Sequence, residues 1–245
     1  MAIKQFELVL SGGEMITPRV RELVFDPPSG DDFKFVAGQF VTLHLEHPEK
    51  LLRRSYSIAT IPNGDPSIRV AVAEVEGGRA TGILFTLQPG ESVHASGPFG
   101  RFVLRDDNQP RYLLVATGTG VTPYRAFLPE LERRLSEHSC TVELLLGVRR
   151  REELLYVDDF LTMTKKFPDT FRFHVAYSRK LPEDAQPWEH KGYVQSLLAD
   201  LEADAMQDIA YLCGNPEMID EAATYFASLE FPVANVRREK YISSN

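Results

Sequence analysis

The sequence predicts two domains in series, β followed by α/β: an N-terminal antiparallel β-barrel over residues 1–106, then a doubly wound, parallel-sheet α/β domain over residues 107–245. Three observations predict this. The first half is a series of short β-branched or aromatic segments of period two, cut by turn residues. A polar, proline-ended run, Arg105-Asp106-Asp107-Asn108-Gln109-Pro110, follows. Beyond it, continuous apolar runs alternate with helical patterns, which implies a parallel sheet covered on both faces.

In the first half, strands are expected at Phe6–Leu10, Val20–Phe25, Phe40–Leu45, Ser55–Ala59, Ile68–Val75 and Ser92–Ala95. The turns between them are marked by Asp26-Pro27-Pro28-Ser29-Gly30, Pro62-Asn63-Gly64-Asp65-Pro66 and Pro89-Gly90. A short helix fits Thr81–Leu87. In the second half, strands are expected at Tyr112–Ala116, Val142–Gly147, Phe171–Ala176, Ile209–Cys213 and Val236–Tyr241. Helices fit Thr122–Glu137, Val157–Lys166, Tyr193–Ala199 and Pro216–Leu229. In the last, Ile219, Ala222, Ala223 and Phe226 form one apolar stripe. Pro129 has no N–H to donate and crowds the preceding turn, so a kink or break is expected between Phe127 and Glu130.

Composition narrows the function. A net charge of −8 argues against general nucleic-acid binding. No stretch approaches the roughly 18 apolar residues of a membrane span. The start has one lysine and too short an apolar run for a signal peptide, so a cytoplasmic protein is expected. The two cysteines, Cys140 and Cys213, are too few for a four-thiolate cluster, and the six histidines show no ligand spacing, so no metal site is expected.

Five motifs carry chemistry. In Arg53-Arg54-Ser55-Tyr56-Ser57, strand alternation puts Arg54 and Tyr56 on one face and Ser55 and Ser57 on the other. Arg54 suits a phosphate, Tyr56 a planar ring and Ser57 the edge of that ring, targets that a flavin dinucleotide offers together. The same stretch also reads as a half-buried strand with a basic start. Gly78-Arg79-Ala80-Thr81 opens a helix, where backbone N–H groups and a hydroxyl cradle phosphate, or it is a plain turn and cap. Thr117-Gly118-Thr119-Gly120-Val121-Thr122-Pro123 lies between strand and helix, with glycines that let backbone approach a pyrophosphate. Arg149 and Ser178-Arg179 follow successive strands, Lys191-Gly192-Tyr193 lies a loop later, and all are expected to gather at the carboxyl edge of the sheet. They suit a doubly ionised phosphate beside an adenine ring, or form a solvated basic rim. Cys213-Gly214-Asn215-Pro216 ends a strand and opens a helix with a good cap, with Cys213 either facing a crevice or buried as a small hydrophobe. Beside these five, the terminal Glu239 and Tyr241 share a strand face, or belong to a frayed tail.

These motifs, in this order from about Phe6 to Tyr241, resemble the ferredoxin–NADP⁺ reductase family. The resemblance implies an FAD-binding barrel followed by an NADP(H)-binding α/β domain. It implies Arg54 at the FAD pyrophosphate, Tyr56 on the isoalloxazine, Ser57 near flavin N5, and Arg79, Ala80 and Thr81 on the FAD phosphates, with Ser55 also among the cofactor-binding residues. It implies Thr117, Gly118, Thr119, Gly120 and Pro123 at the NADP pyrophosphate. Arg149, Ser178, Arg179, Lys191 and Tyr193 would read the 2′-phosphate and adenine. Cys213 would abut the nicotinamide, Glu239 would support proton and charge movement, and Tyr241 matches the tyrosine that covers the flavin. Here Ile242–Asn245 follow that tyrosine, as in oxygenase reductases.

The implied activity is hydride exchange between NADPH and flavin, and single-electron exchange between flavin and a ferredoxin or flavodoxin, by a monomer. Ser57, Cys213, Glu239 and Tyr241 are its catalytic candidates. Since −8 repels an acidic carrier, docking calls for a local basic patch, with Lys50, Arg53, Arg237, Arg238 and Lys240 as candidates. The alternatives are a reductase component of a multicomponent oxygenase and a non-catalytic flavin-binding redox sensor.

Overall fold

A computed structural model describes residues 5–27, 33–62 and 64–241. The chain divides into two compact units. The first runs to Leu104 and takes in Thr122–Pro129; the second holds Arg105–Val121 and continues from Glu130.

The first unit contains β1 (Gln5–Thr17), β2 (Val20–Phe25), β3 (Phe40–Leu45), β4 (Leu52–Ser57), β5 (Ile68–Ala73), α1 (Arg79–Thr86) and β6 (Ser92–Phe99). They form one six-stranded antiparallel sheet, ordered β4-β3-β6-β1-β2-β5. A bridge between Ile58 and Val70 joins the two edge strands, so the sheet closes as a barrel. Its inward residues, among them Leu8, Leu10, Leu23, Val41, Leu43, Val70 and Leu84, are fully buried. In β1, alternation buries Phe6, Leu8 and Leu10 as expected, but the strand does not end there. It continues through Gly12 and Gly13, with its register against β2 shifting between Leu10 and Gly12. Gly12 and Gly13 thus lie within one long strand, next to a bulge. The expected turn at 28–30 and the tail Ile242–Asn245 lie outside the described residues, as does Asn63.

The second unit is a parallel sheet of β7 (Arg111–Thr117), β8 (Thr141–Val148), β9 (Phe171–Tyr177), β10 (Glu189–Lys191), β11 (Asp208–Gly214) and β12 (Val236–Lys240), ordered β10-β9-β8-β7-β11-β12. The chain builds outward from β7 through β10, then returns to the other side of β7 with β11. This reversal makes the sheet doubly wound and leaves its ligand crevice at the carboxyl ends of β7 and β11. The helices are α2 (Thr122–Glu137), α3 (Val157–Lys166) and α4 (Pro216–Ser228). On one face of the sheet, Leu113, Val115, Ala210 and Leu212 pack against Met218, Ile219, Ala222 and Phe226 of α4. The Asn215 side chain caps α4, accepting from the N–H groups of Glu217 at 2.8 Å and Met218 at 3.3 Å, with Pro216 following it.

Two expectations are corrected. The segment after Tyr193 is not an α-helix but a 3-10 turn, Val194–Leu201. It has no side-chain cap at its start, and it buries only Val194 and Leu198. Pro129 does not break α2, which runs unbroken to Glu137. The turn after the proline is reinforced by charge: Glu130 accepts from Arg133 at 2.8 Å and 2.9 Å and from Arg134 at 2.6 Å. Arg134 is buried and also donates to the Tyr112 hydroxyl at 2.6 Å and to the Arg105 carbonyl at 2.8 Å. Arg133 above all, and then Arg134, hold the Glu130 carboxyl down at about 2 against the opposing effect of burial. A depressed carboxylate stabilises the fold above its ordinary value of 4.5 and loses that contribution as the pH falls through the lowered one. Wild type is therefore expected to melt above Glu130→Gln at pH 6, with the difference shrinking below pH 4.5 and vanishing near pH 2. Thermal melts followed by circular dichroism across that range test it; a pH-independent difference overturns it.

Candidate functional site

Each unit presents one candidate surface. On the barrel it is built from β4 and the start of α1. Arg54 and Tyr56 share the face that strand alternation predicts, both half-buried, and the Tyr56 ring packs on the barrel core. Burial pushes the Tyr56 hydroxyl up to about 12, with the nearby Arg54 charge opposing, so the phenol stays protonated at neutral pH. The Arg54 guanidinium donates to the Arg53 carbonyl at 2.9 Å. Ser57 is buried at the strand end, opposite Phe40 of β3. Ser55 lies on the opposite face from Arg54 and Tyr56, as strand alternation predicts; it is exposed, and its hydroxyl bonds that of Thr42 at 3.0 Å. The pleat that brings Arg54 and Tyr56 together turns Ser55 away from them.

At α1, Gly78 occupies the cap position and supplies no side-chain bond, so the first-turn N–H groups of Arg79, Ala80 and Thr81 have no intrahelical acceptor. They form a ready anion cradle at the positive end of the helix. A methyl group on Gly78 would lie 2.7 Å from Thr81 Oγ1 and 2.9 Å from the Val75 carbonyl, so the turn is too tight for a side chain. The Thr81 hydroxyl does not join the cradle as a donor. It is buried and gives its proton to the carbonyls of Gly78 at 3.0 Å and Val75 at 3.1 Å. Arg79 is exposed and paired with Glu49.

In the second unit the candidate residues stand at the carboxyl edge of the sheet. Thr117 ends β7, and Gly118–Val121 form a 3-10 turn leading into α2. Pro123 is buried in the first turn of that helix, and Thr119 is half-buried. The Thr117 hydroxyl oxygen accepts the Asn215 N–H at 2.8 Å, tying the loop after β7 to the loop after β11. Thr117 thus ties the two loops together.

Farther along the edge, Arg149, Arg179 and Lys191 are exposed, and none forms an ion pair among the described residues. Ser178 lies between them, and Tyr193 is 66% exposed, leaving its ring open for stacking. The backbone knits their segments together: the Ser178 N–H donates to the Val148 carbonyl at 3.0 Å, the Arg179 N–H to the Arg149 carbonyl at 3.2 Å, and the Gly192 N–H to the Tyr177 carbonyl at 3.0 Å.

At the end of β11, Cys213 is fully buried and does not face an open crevice. Burial pushes its thiol well up, the Glu239 charge pushes in the same direction, and a hydrogen bond with the Tyr241 side chain opposes both. It is a protonated thiol at neutral pH. Register places Glu239 beside Cys213, and the Tyr241 N–H donates to the Gly214 carbonyl at 2.8 Å. Lys240 leaves the candidate docking patch, because it is paired with Asp220 at 2.6 Å.

Sequence reasoning missed the strand β10 and a buried carboxylate on it, Glu189. Arg151 and Tyr177 both donate to Glu189, from 38 and 12 positions away, separations with no local signature. Among the described residues no group of three or more His, Cys, Asp or Glu side chains is placed to hold a metal. Among the described residues no helix is long and apolar enough to cross a membrane.

Comparison with known proteins agrees with both halves. Residues 7–104 match the oxidoreductase FAD-binding domain, and residues 114–224 match the oxidoreductase NAD-binding domain. The chain is 37% identical over 223 residues to ferredoxin–NADP reductase B of Sorangium cellulosum, covering 87% of this chain and 88% of that one. It is 28% identical over 245 residues to the terephthalate 1,2-dioxygenase reductase component 1 of a Comamonas species, covering 99% of this chain and 70% of that one. The fold is shared with a crystal structure of a ferredoxin–NADP⁺ reductase from Neisseria gonorrhoeae, with a TM-score of 0.84 at 20% identity over 98% of this chain and 99% of that one. A closed antiparallel barrel followed by a doubly wound sheet, with both domain signatures and 37% identity across nearly the whole length of a named member, settles the kinship: this chain belongs to the ferredoxin–NADP⁺ reductase family.

Proposed function

We propose that this chain is an FAD-dependent enzyme that moves electrons between NADP(H) and a one-electron protein carrier, a ferredoxin or a flavodoxin. The observation that supports NADP(H) over NAD(H) is the set of three unpaired exposed cations, Arg149, Arg179 and Lys191, around Ser178. A dianionic 2′-phosphate meets those cations, whereas a site for unphosphorylated ribose commonly uses a carboxylate. None stands at Ser178, Arg179 or Tyr193.

The barrel surface fits FAD. The α1 cradle offers N–H groups to phosphate, Arg54 offers a cation, and Tyr56 offers a ring held in place by the core. Bound FAD supplies the exchange between electron pairs and single electrons, which no side chain performs. The protein's own groups orient and exclude water. Ser57 presents a buried hydroxyl, Cys213 keeps its proton under burial, and Glu239 places a charge next to that thiol. Tyr241 hydrogen-bonds the thiol. Residues 1–106 form the FAD-binding domain in this reading and residues 107–245 the NADP(H)-binding domain, and the enzyme acts as a cytoplasmic monomer.

A second reading is the reductase component of an oxygenase, favoured by the 28% identity to such a component over nearly the whole chain. One experiment tests both. The purified chain is reconstituted with FAD, and NADPH-driven reduction is measured with ferricyanide, ferredoxin, flavodoxin and a Rieske-type oxygenase protein. The proposal expects a yellow protein that reduces ferricyanide and either ferredoxin or flavodoxin. A chain that takes up no flavin overturns it, and turnover confined to the Rieske-type protein selects the second reading.

A further inference from the structure

The three cation-bearing segments at the sheet edge converge on Glu189, the first residue of β10. Arg151, in the turn two residues after Arg149, sends Nη2 to Glu189 Oε2 at 2.6 Å and Nε to Oε1 at 3.1 Å. Tyr177, the last residue of β9 and the neighbour of Ser178, donates its hydroxyl to Oε1. The Gln186 N–H, in the loop that carries the chain from Arg179 to β10, donates to Oε2 at 2.8 Å. Arg151 Nη1 also reaches Asp184 in that loop at 2.7 Å. Glu189 is 6% exposed and Tyr177 is fully buried, so the bond between them is shielded from water, whereas Arg151 and Asp184 reach it from the solvent side. Neither residue projects among the exposed cations. Each stands one or two positions from a cation-bearing residue: Tyr177 beside Ser178 and Arg179, Glu189 two before Lys191.

We propose that the Arg151–Glu189–Tyr177 clamp is the positioning device for the 2′-phosphate site: it fixes the spacing of Arg149, Arg179 and Lys191 and thereby sets the preference for NADP(H) over NAD(H). The inference rests on the NADP(H) reading above. Its physical basis is that exposed arginines and lysines lose rotamer freedom when they bind, so a rim whose backbone is already fixed holds a phosphate more tightly than one that must be ordered. Arg151 offsets the charge of Glu189, so the buried carboxylate is not left as an unpaired negative charge under the rim, and the same guanidinium also pairs with the exposed Asp184.

The test uses the full-length FAD-loaded protein and measures dissociation constants for 2′-phospho-AMP and for AMP by calorimetry, with melting temperature in parallel. Tyr177→Phe removes one hydroxyl and leaves the buried ring; Glu189→Gln removes the charge; Asp184→Ala cuts the outer arm where the side chain is exposed. The ratio of the two constants is expected to fall about tenfold in Glu189→Gln and about threefold in Tyr177→Phe, through the 2′-phospho-AMP value and with AMP little changed, as for supporting groups that orient a binding shell. Asp184→Ala, whose folding is least at risk, is expected to shift the ratio in the same direction by about twofold. If all three variants keep the wild-type ratio, whatever their melting temperatures, the clamp is only structural and the inference is overturned. If wild type itself binds both nucleotides equally, the NADP(H) reading fails first and the clamp falls with it.

Discussion

Replacing Arg179 by alanine is expected to weaken NADPH about ten- to hundredfold while changing NADH less than about twofold, the range for losing charged hydrogen bonds to a phosphate. Three cations stand at this edge, and the choice among them follows from their chemistry. Lys191 contributes a hydrated point charge on a flexible stem, whereas a guanidinium offers a rigid fork that matches phosphate geometry. Of the two arginines, Arg179 is next to Ser178, so one segment offers both a fork and a hydroxyl. The Arg179 N–H is anchored to the Arg149 carbonyl at 3.2 Å, which leaves its side chain, and not its backbone, free to close on a ligand. The effect comes from an exposed charge, so it should shrink with rising salt, as screening shortens to about 8 Å at physiological ionic strength. Arg179→Lys should fall between wild type and alanine, retaining charge without the fork. The measurement is kcat/KM for both nucleotides at two salt concentrations. An equal loss for NADPH and NADH removes the 2′-phosphate assignment.

The parts of this molecule that the sequence makes legible are those governed by local periodicity. Apolar runs give β7, β8, β9 and β11 to within a residue or two: β7 and β11 are buried on both faces, and β9, which exposes Arg172 near its start, continues as a buried Val175-Ala176-Tyr177. Alternation likewise gives the shared face of Arg54 and Tyr56, and it also explains why Ser55 is turned away. What is not legible depends on partners distant in sequence. β10 is three residues, Glu-His-Lys, and has no apolar signature; it exists because its backbone pairs with β9. Glu189 reads as a surface acid until the fold buries it beside Arg151 and Tyr177. Cys213 reads as a residue at an open strand end, yet the Tyr241 side chain returns onto it from β12's far end. The first strand is expected to end at Leu10, yet β1 runs on to Thr17 past a register shift between Leu10 and Gly12, because pairing with β2 carries it further.

The second large effect concerns the glycine turn itself. Gly120→Ala is expected to destabilise the second unit by about 3 kcal/mol, the upper end of the range for overpacking a closed site, and to lower its melting temperature by roughly 10 °C. A methyl group on Gly120 would lie 2.3 Å from the Cys213 carbonyl oxygen, 2.6 Å from its carbonyl carbon and 2.8 Å from the Gly214 Cα. All three are backbone atoms of β11, which is hydrogen-bonded in register to β7, so none can swing aside as a side chain would. The other side is equally tight: Gly214, at φ +123°, has a Cβ position 2.5 Å from Thr117 Oγ1, and Thr117 in turn accepts the Asn215 N–H. The two loops at the sheet's reversal point therefore lie backbone on backbone, and the extra methyl can be accommodated only by spreading them. Spreading would misdirect the N–H groups of the 118–121 turn, so nucleotide affinity should fall together with stability. Gly118 provides the control. Unlike Gly120, it needs left-handed backbone, at φ +51°, but nothing lies within 4 Å of its Cβ position. Gly118→Ala therefore meets conformational strain alone, about 1 kcal/mol. Differential scanning calorimetry of the two variants separates the causes. If Gly120→Ala proves as mild as Gly118→Ala, the two loops have room to part, and close approach is not what requires glycine at position 120.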